Sequence, residues 1–207
     1  MNSQDASRVN LAGHTREQKR VQYLKENGTE AEVLGGTIKP DIGRIDGLLE
    51  SLKGGSKTQW YLFSYERVDE SDLFTNEEKE MFKKWGTCFT TPNPHCSNMC
   101  EVIQKNPEKW IRFFIGPDKF DLLVMLDKRN GEWVEVTVDE FISKIMKQIT
   151  EIYFTGTKVV FKGGGPNLWP NNPRRKNGVT LFELDRRTSK KSSLFHSSLD
   201  RIIDCVK

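Results

Sequence analysis

Hydrophobic and polar residues alternate most cleanly over Thr58–Val68. Trp60, Leu62, Ser64 and Glu66 line one face there, and Gln59, Tyr61, Phe63, Tyr65 and Arg67 the other. That period of two predicts a strand. Further strands are expected over Ile42–Ser51, Trp110–Ile115, Tyr153–Lys162 and Val179–Leu184. Asp121–Asp127 and Glu132–Val138 read as a hairpin closed by Asn130-Gly131, a pair that favours a tight turn. Lys53-Gly54-Gly55-Ser56 reads as another turn. Helix starts are marked by capping-box pairs at Thr15/Gln18, Thr75/Glu78 and Thr137/Glu140. The helices they open run to Asn27-Gly28, to about Trp85 and to about Ile149, with a further helical turn over Glu101–Lys105. The first dozen residues are polar and are expected to fray. The pattern predicts a mixed α/β (α+β) chain: residues 1–34 form a polar arm with a short helix, and 35–207 a single globular domain with a central mixed sheet flanked by helices.

At 207 residues, with 36% hydrophobic residues including five Trp and twelve Phe, the chain can bury a substantial core. No run approaches the length of a membrane span, and Met1-Asn2-Ser3-Gln4-Asp5 carries no apolar signal region. The expectation is therefore a soluble, intracellular (cytoplasmic) protein with no membrane partner, as monomer or homodimer. Cys88, His95, Cys96 and Cys100 lie close together in sequence and offer four tetrahedral zinc ligands. Their spacing matches no standard finger, however, and adjacent His95-Cys96 would strain one site, which favours reduced structural cysteines.

Charge changes the picture most. Lys158–Lys191 holds nine Lys/Arg against Glu183 and Asp185, a local +7 on a chain whose net charge is +3, leaving the remainder at −4. Such a basic, glycine-rich, strand-framed segment is the electrostatic footprint expected for a polyanion such as double-stranded DNA. Lys162, Arg174, Arg175 and Lys176 are candidates for phosphates or guanine edges. Gly163, Gly164 and Asn177 are candidates for close approach to the backbone of the nucleic acid. Trp169, between Pro166 and Pro170, packs either on DNA or within the loop.

Asp41 and Asp46 border the strand over 42–51, and Ser64 and Glu66 share a face of the next strand. Carboxylates on adjacent strands can hold Mg²⁺ or Mn²⁺ through oxygen. Such an ion activates water and offsets the charge that builds on a phosphodiester. Asp41 is then the principal ligand, with Asp46 and Glu66 as further ligands, Glu66 alternatively as base, and Ser64 in support. Asp121 and Glu135, on the second hairpin, form a rival acidic pair.

Pro40-Asp41 ahead of a hairpin strand resembles the PD-(D/E)xK nuclease signature. Leu73-Phe74-Thr75, Trp110-Ile111-Arg112, Pro117-Asp118-Lys119, Trp133-Val134-Glu135 and Val159-Val160-Phe161-Lys162 with its glycines extend the likeness. Together they resemble small type II restriction endonucleases of that class, those that cut CCGG or GCGC, over roughly Gly36–Arg187. The resemblance implies a restriction-endonuclease-like fold and sequence-specific, metal-dependent hydrolysis of duplex DNA. It also asks for an acidic or amide residue, one spacer and then a lysine; carried onto this chain, that place falls at Ser64-Tyr65-Glu66, and Glu66 supplies no cation. For the rival pair, Thr137 likewise stands where lysine is expected. The missing lysine leaves open a DNA-binding relative without cleavage. An unrelated interaction protein, whose basic hairpin meets an acidic partner, is also open.

Overall fold

The computed structural model describes the chain apart from residues 1–2, 35–39, 56, 117–119, 166–167, 176 and 188–191, and apart from the side chains of 3–12, 57, 61–64, 187 and 192. In chain order the first elements are α1 (Ser3–Glu26), β1 (Ala31–Val33), β2 (Ile42–Arg44), β3 (Leu49–Lys53) and β4 (Lys57–Ser64). Then follow α2 (Tyr65–Asp69), α3 (Asn76–Thr87), α4 (Cys96–Lys105), α5 (Pro107–Ile115), β5 (Leu122–Asp127), β6 (Glu132–Thr137) and α6 (Val138–Gln148). The last are β7 (Ile149–Thr155), β8 (Lys158–Gly163), a 3-10 turn (Pro173–Arg175), β9 (Val179–Arg187), β10 (Ser192–Ser198) and α7 (Leu199–Val206). The class is mixed α+β, with the strands divided between two five-stranded sheets. Two compact units result: Met1–Gly54 with Pro117–Val138, and Gly55–Gly116 with Asp139–Lys207. The expected boundary near residue 34 falls inside the first unit, because β1 and β2 on either side of it pair, Val33 with Ile42.

In the first unit the strand order is β1-β2-β3-β5-β6, antiparallel except for the parallel β3–β5 pair. The strand expected over 42–51 is instead a hairpin. Gly47 adopts φ 86° in its turn, and the Asp46 Oδ1 accepts from Leu48 N at 3.1 Å. Asp-Gly supplies the left-handed backbone that a β-branched residue resists. Helix α1 begins far upstream of Thr15 and ends where Gly28 turns left-handed, φ 80°. Its Leu24 packs with Ile42, Leu52 and Val124, flanked by Val21, Ala31, Leu122 and Trp133. Burial of that face, rather than the local cap at Thr15, holds the helix.

In the second unit the order is β4-β10-β9-β8-β7, antiparallel throughout. Trp60, Phe161, Phe182 and Phe195 are fully buried, with Phe182 and Phe195 stacked at 4.8 Å between ring centres. The capping box at Thr75 and Glu78 opens α3 as the sequence indicates. The segment Trp110–Ile115 is helical, not extended. The Asn106 Oδ1 accepts from Lys109 N at 3.1 Å, Pro107 occupies the first turn, and Gly116 closes α5 at φ 73°. Those caps outweigh the β propensity of Trp, Ile and Phe. Tyr153–Lys162 splits into β7 and β8 at Gly156, φ 57°. The strand over Thr58–Val68 stops at Ser64, since Tyr65 opens α2 and its hydroxyl donates to the Gly86 carbonyl at 2.5 Å.

Candidate active site

Asp41 stands at the mouth of β2, where its backbone N–H donates to Glu50 O at 2.9 Å and fixes the register with β3. Its Oδ2 accepts from Leu52 N at 2.7 Å and from Ser51 Oγ at 3.3 Å. Lys53 Nζ in turn donates to Ser51 Oγ at 2.8 Å. A carboxylate, a hydroxyl and an ammonium are therefore strung across one hairpin, with Ser51 0% and Lys53 6% exposed. Side chains alternate along β3, so Ser51 and Lys53 share a face while Glu50 and Leu52 take the other.

The second face is also highly ordered. Arg20 of α1 forks onto Glu50, with Nε to Oε2 and Nη2 to Oε1 both at 2.9 Å, and neither side chain is exposed. Arg20 Nη2 also lies 2.8 Å from Glu135 Oε1, and Arg44 Nη2 lies 2.7 Å from Glu135 Oε2. Burial alone would raise the Glu135 carboxyl; hydrogen bonds and charge from Arg20 and Arg44 outweigh it and hold it below the usual carboxylate value. Burial likewise works against charge on Arg20, but Glu50 and Glu135 raise its pKa overall.

This geometry separates the residues expected to act together. Glu66 is exposed on helix α2, and among the described residues β4 pairs only with β10, so the expected strand pair bearing Asp41 and Glu66 is not found there. Ser64 ends β4, and its side chain lies outside the described residues. Asp46 caps the hairpin turn. Of the rival pair, Asp121 accepts from Leu49 N at 2.8 Å and Glu135 is engaged by the two arginines, so both have structural partners. Ser51-Leu52-Lys53, which begins ten residues beyond Asp41, does place a lysine beside Asp41 through the Ser51 hydroxyl. Asp46-Gly47, read as a turn, is the signal that would have found it.

No group of three or more His, Cys, Asp or Glu among the described residues is arranged to cage a metal. The hairpin instead fits a hydrated ion. Asp41 makes its hydrogen bonds through Oδ2, leaving Oδ1 without a partner among the described residues. Mg²⁺ is ordinarily held by one or two carboxylates, waters and substrate phosphate. An open depression at the β1–β2 edge is lined by Lys25, Thr29, Glu30, Leu34, Arg44 and Ile45, and Asp41 is not among its lining residues.

In the second unit, the basic segment is partly neutralised from within. Lys158 lies 3.4 Å from Glu183 and 3.5 Å from Asp185, and Lys162 lies 3.1 Å from Glu151. Arg175 stacks on Trp169 at 4.6 Å, and both reach Asp204 of α7: Trp169 Nε1 at 3.0 Å and Arg175 Nη1 at 3.4 Å. Trp169 is thus a loop anchor. A Cβ on Gly163 would meet Gln148 O at 2.2 Å, and one on Gly164, at φ 73°, would meet the Trp169 ring at 2.2 Å. The close approach these glycines permit is within the chain. Arg174 and Asn177 are exposed, and Arg174 has no ion pair among the described residues. Lys176 lies outside them. Cys96 and Cys100 are buried, donating to Lys158 O at 3.4 Å and Ile152 O at 3.6 Å, and His95 precedes α4 without a side-chain cap bond.

No protein-family model matches the chain, and no curated protein matches it. Among solved structures it is similar to restriction endonuclease MspI in complex with its cognate DNA. The two are 14% identical, with a TM-score of 0.45 over 82% of this chain and 70% of that one. No helix among the described residues is long and apolar enough to cross a membrane.

Proposed function

We propose that the chain is a metal-dependent endonuclease acting on duplex DNA, with its chemistry at Asp41, Ser51 and Lys53. The observation that carries this reading is the hydrogen-bonded line Asp41 Oδ2–Ser51 Oγ–Lys53 Nζ on the β2–β3 hairpin. It supplies the lysine of the nuclease signature one spacer on, but with a hydroxyl where the signature asks for an acid or amide. Asp41 is the ligand for Mg²⁺ or Mn²⁺; such an ion, when bound, polarises the phosphodiester and lowers the pKa of a water. Lys53 holds the attacking water or offsets charge on the phosphate oxygens. Ser51 fixes the Lys53 ammonium.

The decisive experiment incubates the protein with plasmid and diverse genomic DNA in Mg²⁺ or Mn²⁺. Discrete fragments are expected, absent in chelator and absent for Asp41→Ala. Cutting that persists in chelator overturns the metal requirement. Binding without cutting under every condition establishes instead a DNA-binding relative, a reading favoured by serine at the position where an acid or amide is asked for.

Affinity for duplex DNA should fall with salt, because each neutralised phosphate releases counterions. Arg174→Ala is expected to flatten the log–log slope by about 0.9 if it meets a phosphate. If Arg174 reads a guanine, its loss relaxes sequence preference by about 1–3 kcal/mol instead. Arg175→Ala is expected to change the slope less, since Asp204 already engages that guanidinium. Binding titrations across salt separate these cases. Unchanged affinity and slope in Arg174→Ala would remove this loop from the DNA interface.

A further inference from the structure

Helix α1 carries Arg16 and Lys19 three residues apart, so the two cations are neighbours on its surface. Among the described residues neither side chain has a carboxylate partner. The acids around them are engaged elsewhere: Glu17 with His14 at 3.0 Å, Glu26 with Gln22 at 2.8 Å, and Glu50 and Glu135 with Arg20 and Arg44. Like charges so placed repel, a small cost to the helix that an anion removes. The fold also fixes where Arg16 goes. A Cβ on Gly54 would lie 2.3 Å from Arg16 Nε, 2.6 Å from Cζ and 2.7 Å from Cδ. The Gly54 backbone is not left-handed, so its conformation does not call for glycine. The missing side chain instead makes room for the guanidinium.

Gly54 directly follows Lys53 at the end of β3. Arg16 lies one helical turn before Arg20, which reaches the same strand at Glu50. Arg16 therefore stands at the end of the strand that carries Ser51 and Lys53, with Lys19 exposed beside it. We propose that Arg16 and Lys19 hold the phosphate backbone of duplex DNA alongside the Asp41–Ser51–Lys53 hairpin. The inference rests on the nuclease reading and deepens it, adding a phosphate contact in the unit that carries the hairpin. The Arg16 fork, laid against Gly54, suits two oxygens of one phosphate, and Lys19 adds a compact charge on a flexible stem.

The test measures binding of a labelled DNA duplex to the whole protein by anisotropy across salt, in chelator, so that binding is read apart from cutting. Arg16→Ala and Lys19→Ala should each weaken affinity several-fold at low salt and flatten the log–log slope by about 0.9. Alanine is the best helix former, so α1 persists and the urea midpoint should not fall. Gly54→Ala removes no charge but forces the guanidinium off the strand end. It should weaken binding on its own and add nothing to Arg16→Ala, a coupling that a merely solvated arginine does not show. Wild-type affinity and slope in Arg16→Ala, on a background that binds duplex, overturns this inference and leaves the nuclease reading standing. Additive losses from Gly54→Ala and Arg16→Ala overturn the placing role of Gly54. A wild-type protein that binds no duplex overturns both readings.

Discussion

Lys53→Met is expected to lower the rate of DNA cleavage by roughly 10²–10³-fold, the usual loss when one pre-aimed electrostatic donor is removed from a reacting centre. Met keeps the length and apolar stem of the side chain and removes only the ammonium, so the β2–β3 hairpin and its register persist. Duplex affinity, read by anisotropy in chelator, should stay near wild type because the exposed cations of the basic loop lie on other elements. Lys53→Arg is not expected to rescue, since a planar fork does not replace a compact ammonium in a site this enclosed. Single-turnover cleavage under saturating protein measures the effect on the chemical step. A Lys53→Met protein that cuts at the wild-type rate would exclude the hairpin as the active site.

Glu50→Ala is expected to cost about 3–5 kcal/mol of stability, because it strands the fully buried Arg20 beside a vacated partner. The pair lies on the face of β3 opposite Ser51 and Lys53, and its forked geometry ties α1 to the sheet of its unit. Urea denaturation measures the loss; a change under about 1 kcal/mol would show that water or relaxation compensates Arg20. The same network sets an acid limit. The Glu135 carboxyl has a lower pKa folded than unfolded, so its contribution is complete above the ordinary carboxylate value of about 4.3 and is lost as pH falls below it. Acid titration of Glu135→Gln should remove that portion of the pH dependence.

Several local signals of a few residues were reliable guides, although the Thr15/Gln18 pair lies inside α1 rather than at its start. Thr75 with Glu78 marks the start of α3, Asn130-Gly131 the β5–β6 turn, and Asn27-Gly28 the end of α1. Each acts through its own backbone, so neighbours in sequence suffice. Where two local signals compete, pattern alone misleads. In Trp110–Ile115 the side chains favour a strand, whereas Asn106-Pro107 before them and Gly116 after them impose a helix. Strand β10 carried no strong signal and forms because Phe195 finds a core to enter, whereas α7 has Leu199, Ile202, Ile203 and Val206 spaced for one buried helical face.

By itself the sequence determined the mixed class and the basic segment, since these depend on composition or on adjacent residues. Only tertiary structure brings Lys53, through Ser51, next to Asp41. The Asp46-Gly47 turn folds Ser51 and Lys53 back onto Asp41, and the alternation of β3 sends Glu50 to the opposite face. Tertiary structure also decided how much of the +7 remains for a ligand. Glu151 answers Lys162 from the paired strand β7, and Asp204 answers Arg175 from α7. Local sequence does not reveal such partners, because a charge is neutralised by whatever carboxylate the fold brings within a few ångströms, however distant along the chain.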